Sequence, residues 1–215
     1  NPSFVNARQI DNGFSRKGDG TDYAPSWNGQ SPLEAYYISS ILHGAPLVAK
    51  NLILNFLATQ NEDGEVDSKP GLAAQRGKII AAPLLASLVW KYYQATQDNN
   101  FLAEAYPKLI KFFWSWFSSA HDRNRDGAPE WDHILQNGFD DNPVFDVWHP
   151  WSQGLDISLV HSPSLEAMLY REAKSIVKVA KKLRKNEEET MLVQSQAEKI
   201  KTSLISSPTA LLKTI

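Results

Sequence analysis

Cysteine is absent from all 215 residues, which excludes disulfides, thiolate metal sites and a cysteine nucleophile but leaves the compartment undecided. No apolar run approaches the roughly 20 residues that span a bilayer, and residues 1–20 are too polar for a signal peptide. Neither charge dominates: 22 Lys plus Arg stand against 24 Asp plus Glu, for a net charge of −2. With a pI near 6.2 and no clustered basic stripe, nothing answers the charge of a phosphate backbone, so nucleic acid is not an expected partner. What remains is a soluble chain, expected in the cytoplasm and without a membrane partner. Position 1 is Asn rather than Met. Hydrophobic residues at 42% and charged residues at 21% fit one domain with a sizeable core. Tryptophan is in excess, at seven residues.

Strand signals are also missing. Residues 1–32 are rich in Gly, Asn, Asp, Pro and Ser and read as an irregular N-terminal segment. Leu33, Tyr36, Tyr37, Ile41 and Leu42 then recur at helical spacing, with Gly44 as a left-handed cap. Pro46 opens a second helix through Leu47, Asn51, Leu54 and Leu57. Residues 60–78 form a polar loop. A third helix is expected over Ile79–Gln97 and a fourth over Phe101–Ser119, where Leu102, Ala105, Tyr106, Leu109, Phe112, Phe113, Trp116 and Phe117 draw the clearest stripe in the chain. Pro107 is expected to kink or restart that helix. A fifth helix starts with Ser162 as N-cap and Pro163 at its first position, and a sixth carries Val193, Ala197, Ile200 and Leu204. The class is therefore all-α, about six helices in three hairpins.

Chemistry concentrates between residues 121 and 161, where periodicity vanishes and Asp, Asn, Gly, Pro and Trp take over. A stretch this long without its own secondary structure points to function. Carboxylates beside indoles suit a sugar: ring faces stack on aromatics, and carboxyl groups perform the acid and base steps. Trp27, Trp131, Trp148 and Trp151 fall in expected loops and are candidate sugar platforms, with plugging the end of a helical bundle as the alternative. Asp122, Asn124, Asp126 and Gly127 have the alternating oxygens and turn glycine of a calcium loop. With Glu130 they form a candidate structural Ca²⁺ site, although His133 stands where an EF-hand has its bidentate carboxylate; the alternative is an Asx-rich turn closing on its own backbone. No cofactor is required. Asp140, Asp141 and Asp146 admit two readings, a magnesium motif of the prenyl-transfer type or a glycosidase acid held in an aromatic setting. Gly138 and Pro143 favour a loop over the helix that the first reading needs.

Three segments carry a family resemblance: Asn61-Glu62-Asp63-Gly64 leading to Ala81-Ala82-Pro83-Leu84-Leu85-Ala86, then Asp122 to Trp131 after the aromatic helix, then Gln136-Asn137-Gly138-Phe139-Asp140-Asp141-Asn142-Pro143. In order and spacing, Trp27 to Leu204 resembles the (α/α)6-toroid glycoside hydrolases, particularly family 63 and the mannosylglycerate hydrolases, with trehalases more distant. The resemblance implies that 1–215 is a single domain, an incomplete half of a six-hairpin (α/α)6 toroid, with 121–161 as its active-site loop. It implies an inverting hydrolase of α-glycosidic bonds, of oligosaccharides or small glycosides such as mannosylglycerate or glucosides. Asp140 matches the family's general acid. Gln136 and Asn137 replace the usual Glu and Ser, Asp141 replaces Asn, and Asn28 replaces the Asp that follows the family's Trp. Trp27, Asn28, Gln75, Trp131, Gly138, Asp141, Trp148 and Trp151 become candidate substrate contacts. The family's base, a Glu of the second half, has no counterpart here, so this chain alone is expected to be inactive and to self-associate through faces that the missing half would cover. A non-catalytic carbohydrate-binding module is the alternative.

Overall fold

The computed structural model describes residues 30–41, 44–70, 79–133, 136 and 157–206. Of the candidate site residues, Trp27, Asn28, Gln75, Gly138, Asp140, Asp141, Trp148 and Trp151 lie outside them. Six α-helices appear: α1 (Pro32–Ile41), α2 (Pro46–Leu57), α3 (Leu85–Thr96), α4 (Asn99–Ser115), α5 (Pro163–Lys182) and α6 (Glu187–Ser206), with a 3₁₀ turn at Ile157–Leu159. Among the described residues the only extended pairing is one antiparallel bridge, Asp67 with Ile80.

Local chemistry sets the helix starts. Ser31 and Glu34 form a reciprocal capping box at α1: Glu34 N donates to Ser31 Oγ at 3.2 Å and Ser31 N to Glu34 Oε2 at 2.7 Å. Asp98 caps α4 by accepting from Phe101 N at 3.0 Å, so the helix begins two residues before the expected Phe101. The other oxygen of Asp98 accepts from Lys50 Nζ at 2.9 Å and from Tyr92 OH at 3.2 Å, which ties α2 and α3 to that cap. α4 runs on through Pro107.

Four expectations need correction. α3 starts at Leu85 rather than Ile79, because Ala81 N donates to Val66 O and Ser68 N to Ile79 O, drawing 79–81 into an extended pairing. Gly44 is not left-handed; the left-handed caps are Gln97 after α3 and Arg184 after α5. Leu47 is exposed, because the buried face of α2 is Ala49, Leu52, Ile53, Phe56 and Leu57. Ser162 precedes Pro163 as expected but makes no side-chain cap to α5, its hydroxyl being used elsewhere.

The helices form two layers. α1 packs on α3 and α3 on α5, while α2 lies against α1 and α3, α4 against α3 and α5, and α6 against α5. Phe56, Phe101, Phe112, Phe113, Trp116 and Trp131 are among the largest fully buried side chains, and burying each such group stabilises the fold by about 2 kcal/mol. Most large apolar side chains left exposed sit on the first and last hairpins, Tyr37, Ile41 and Leu47 at one end, Met191, Leu192 and Ile205 at the other.

Gly64 is a tight point. It has φ +93°, and a Cβ added there would stand 2.5 Å from the carbonyl oxygen of Lys111 in α4. Gly64→Ala therefore combines a strained backbone with a clash against main chain, and a loss of about 2 kcal/mol is expected. Urea unfolding of the variant checks this; an unchanged midpoint would contradict the close approach.

Candidate active site

The Asn61-to-Gly64 motif builds a turn whose product is the placement of Glu65. Asn61 Oδ1 accepts from Glu65 N at 2.9 Å, and Gln60 Nε2 spans Gly64 O (3.0 Å) and Lys108 O (2.9 Å), fastening the turn to α4. Glu65 Oε1 then meets His121 Nε2 at 3.2 Å. The other ring nitrogen of His121 faces Asp132 Oδ2 at 2.9 Å. Residues that flank two of the three segments carrying the family resemblance, Glu65 after Gly64 and Asp132 after Trp131, thus meet on one buried imidazole.

Arg123 closes the far side, with Nη2 2.6 Å from Asp132 Oδ1 and its backbone N donating to Glu130 Oε2 at 3.2 Å. Gln136, 6% exposed, finishes the structure. Its Oε1 accepts from the backbone N of Asp132 and of His133, both at 2.7 Å, while Nε2 donates to Ile80 O at 2.9 Å and Asp132 Oδ2 at 3.2 Å. All these bonds lie just ahead of residue 137, where the candidate acid segment begins.

Burial works hardest against a charged His121, yet the hydrogen bonds and charges of Asp132 and Glu65 outweigh it and raise the imidazole above 6.5. Burial likewise pushes the Asp132 carboxyl up, and His121, Arg123 and Gln136 together hold it below the usual range. Burial lowers His133. Only an imidazolium can donate to both Glu65 and Asp132. A folded value raised above the unfolded one gives stability that is full below pH 6.5 and lost as pH rises through the folded value. We expect stability to fall across that window, seen as a falling melting temperature that His121→Gln flattens. A parallel profile in the variant would contradict the double clamp.

The candidate calcium loop is turned inward. Asp122 accepts from Asp126 N (3.1 Å) and Gly127 N (3.0 Å), and Asp126 accepts from Ala128 N at 2.9 Å. Asn124 Nδ2 donates to Asp126 Oδ2, which also faces His161 Nε2 at 3.0 Å, and Glu130 receives Arg123. Among the described residues no group of three His, Asp or Glu is arranged to hold a metal. The arrangement closes as an Asx-rich turn, with Gly127 at φ +87° and its carbonyl accepting from Gln196 Nε2 of α6 at 3.3 Å.

Trp131 is not a sugar platform. It is 0% exposed, packs edge-on to Trp116 with centroids 5.7 Å apart, and donates Nε1–H to Ser162 Oγ at 3.1 Å. That bond uses the hydroxyl expected to cap α5 and pins the loop to the start of that helix.

Sequence reasoning missed Glu172. It is 0% exposed on α5 and accepts from Ala86 N, from Ser87 N at 3.1 Å and from Ser87 Oγ at 3.2 Å. α3 has no side-chain cap of its own, with Leu84 at its N-cap position, so a carboxyl from another helix takes its orphan donors. Burial pushes Glu172 up to about 7 against those hydrogen bonds. A signal existed in the sequence, since Leu165, Leu169, Glu172 and Ile176 share one helical stripe.

The fold is that of the helical-toroid glycoside hydrolases. The mannosylglycerate hydrolase of Thermus thermophilus, of glycoside hydrolase family 63, superposes in its Tris complex with a TM-score of 0.67 at 16% identity, over 83% of this chain and 59% of that one. Its complex with glucose gives 0.62 at 16% identity, over 82% and 56%. This chain therefore spans less than two thirds of the length of those structures. No curated protein matches it. The model of the mannosylglycerate hydrolase MGH1-like glycoside hydrolase domain matches residues 35–207, and the chain belongs to that family.

Proposed function

We propose that this chain is the acid-bearing part of an inverting glycoside hydrolase acting on α-glycosidic bonds of oligosaccharides or small glycosides, mannosylglycerate and glucosides among them. The supporting observation is the family match over 35–207, which encloses the segment Gln136–Pro143. Asp140 is the general acid of this reading: its carboxyl protonates the leaving oxygen while a base roughly 6.5–9.5 Å away activates water on the opposite face. No residue of this sequence is assigned as that base. Gln136 stands where relatives of this type carry Glu, and its role here is to hold the strand of chain that leads to Asp140.

The test is hydrolysis by the product of the whole gene on a panel containing mannosylglycerate, glucosylglycerate and α-linked glucosides, with the newly released anomer read by proton NMR. Release of the β-anomer first supports inversion. Release of the α-anomer first overturns it, and no hydrolysis of any α-linked member overturns the enzyme reading. The carbohydrate-binding alternative loses the buried Trp131 as a stacking surface. Self-association through the exposed apolar residues of the first and last hairpins belongs to the same reading.

A further inference from the structure

A cavity of about 580 Å³ opens to the surface between the 61–65 turn and the C-terminal half of α4, with Asp63, Glu65, Ile110, Lys111, Trp114 and Ser118 among its walls. Its size falls within the range of small-molecule sites. The turn that forms one side is rigid. Asn61 Oδ1 accepts from Glu65 N at 2.9 Å and Asn61 Nδ2 donates to Glu65 Oε2 at 3.0 Å, so the turn is closed on itself. Gly64, left-handed and so near Lys111 O that no Cβ fits, presses it onto α4. Asp63 is therefore presented from a fixed backbone.

The side chains around this cavity are accessible. α4 buries Phe112 and Phe113 completely, but Trp114 beside them is 37% exposed. Its indole rests against Phe113 and Phe117, with ring centroids 5.2 and 5.8 Å away, and so is held in place before any ligand arrives. Asp63, Lys111 and Ser118 are exposed, and neither Asp63 nor Lys111 takes part in an ion pair among the described residues. Glu65 differs, since His121 and Asn61 already engage its two oxygens.

The mixed signs select the ligand. An anion would meet the carboxylates of Asp63 and Glu65, and an organic cation would meet Lys111. A neutral ring avoids both penalties: its hydroxyls can donate to Asp63 and accept from Lys111 while an apolar face lies on the indole. A pyranose has that make-up, and walls fixed in advance reduce the ordering cost of binding it.

We propose that this cavity binds a neutral sugar, with a pyranose face on Trp114 and hydroxyls on Asp63 and Lys111. None of these three residues is among the candidate substrate contacts, and the inference does not depend on Asp140 as the acid.

Methyl α-glucoside, methyl α-mannoside, cyclohexanol and choline titrated into the protein, followed through the backbone amides of Asp63, Lys111 and Ser118 and the indole N–H of Trp114, test it. Saturable shifts at these resonances are expected with at least one glycoside, and weaker binding with cyclohexanol and choline. Trp114→Ala should weaken the glycoside about tenfold, the size of one lost aromatic contact, and Trp114→Tyr, which keeps a ring, should retain most of the affinity. Asp63→Ala should leave the melting temperature of the free protein unchanged, since the carboxylate is exposed, yet weaken the glycoside. No saturable shift at these resonances with either glycoside, cyclohexanol or choline bound as tightly as the glycosides, or unchanged affinity in Trp114→Ala or Asp63→Ala would overturn the proposal.

Discussion

Glu172→Ala is expected to destabilise the chain by about 4 kcal/mol. Its carboxyl is the acceptor for Ala86 N and Ser87 N at the start of α3, in a place with no solvent access. Each buried donor left without a partner costs about 1–3 kcal/mol, and removing the side chain adds a cavity term. Glu172→Gln keeps one acceptor oxygen and should cost about half as much. Urea unfolding followed by far-ultraviolet dichroism measures both, and equal midpoints for wild type and Glu172→Ala would sink the capping role. A pH signature accompanies it. Burial raises Glu172 to about 7 from an ordinary 4.5, so the folded chain keeps a proton that the unfolded chain releases. Its contribution is therefore greatest below pH 4.5 and falls as pH climbs toward 7. Glu172→Gln, which does not titrate, should lose that slope.

Asp140→Asn in the whole-gene product is expected to lower kcat by about 10²–10⁴-fold on substrates with alkoxide leaving groups, with little change in KM. Asparagine keeps the size of the side chain but has no proton to deliver to the glycosidic oxygen. Leaving groups that depart without protonation discriminate a lost acid from a distorted site: a 2,4-dinitrophenyl glycoside should retain most of its rate in the variant. Full activity of Asp140→Asn on glycerate or sugar leaving groups would exclude it as the acid.

Patterns confined to one helix were legible. The stripe through Leu102, Leu109, Phe112 and Phe113 marked α4, and Pro163 marked the first residue of α5, because spacing along a helix is a local property. Patterns that depend on distant partners were not. The bond from Trp131 to Ser162 spans 31 positions and that from Glu172 to Ser87 spans 85, so neither the burial of that indole nor the cap on α3 could be read from neighbours in sequence. The late start of α3 has the same cause, since residues 79–81 are recruited by 66–68. At the candidate site, the Asx turn and the calcium loop share one residue pattern, so the sequence of 122–127 alone does not choose between them.

The order in which the helices touch has a kinetic consequence. Every substantial contact among the described helices joins helices one or two places apart in the chain, but those of α5 with α3 and α4 close across the long stretch between Ser115 and Pro163, so docking of α5 carries the largest loop-closure cost. During synthesis α1 and α2 can pair before α3 leaves the ribosome, and each later hairpin meets a surface that already exists. The carboxyl of Glu172 arrives only with α5. Its loss should leave the first hairpins free to collapse on schedule while slowing the step that joins α5 to α3, a late stall visible as an unfolded α5 in pulse-labelled hydrogen exchange.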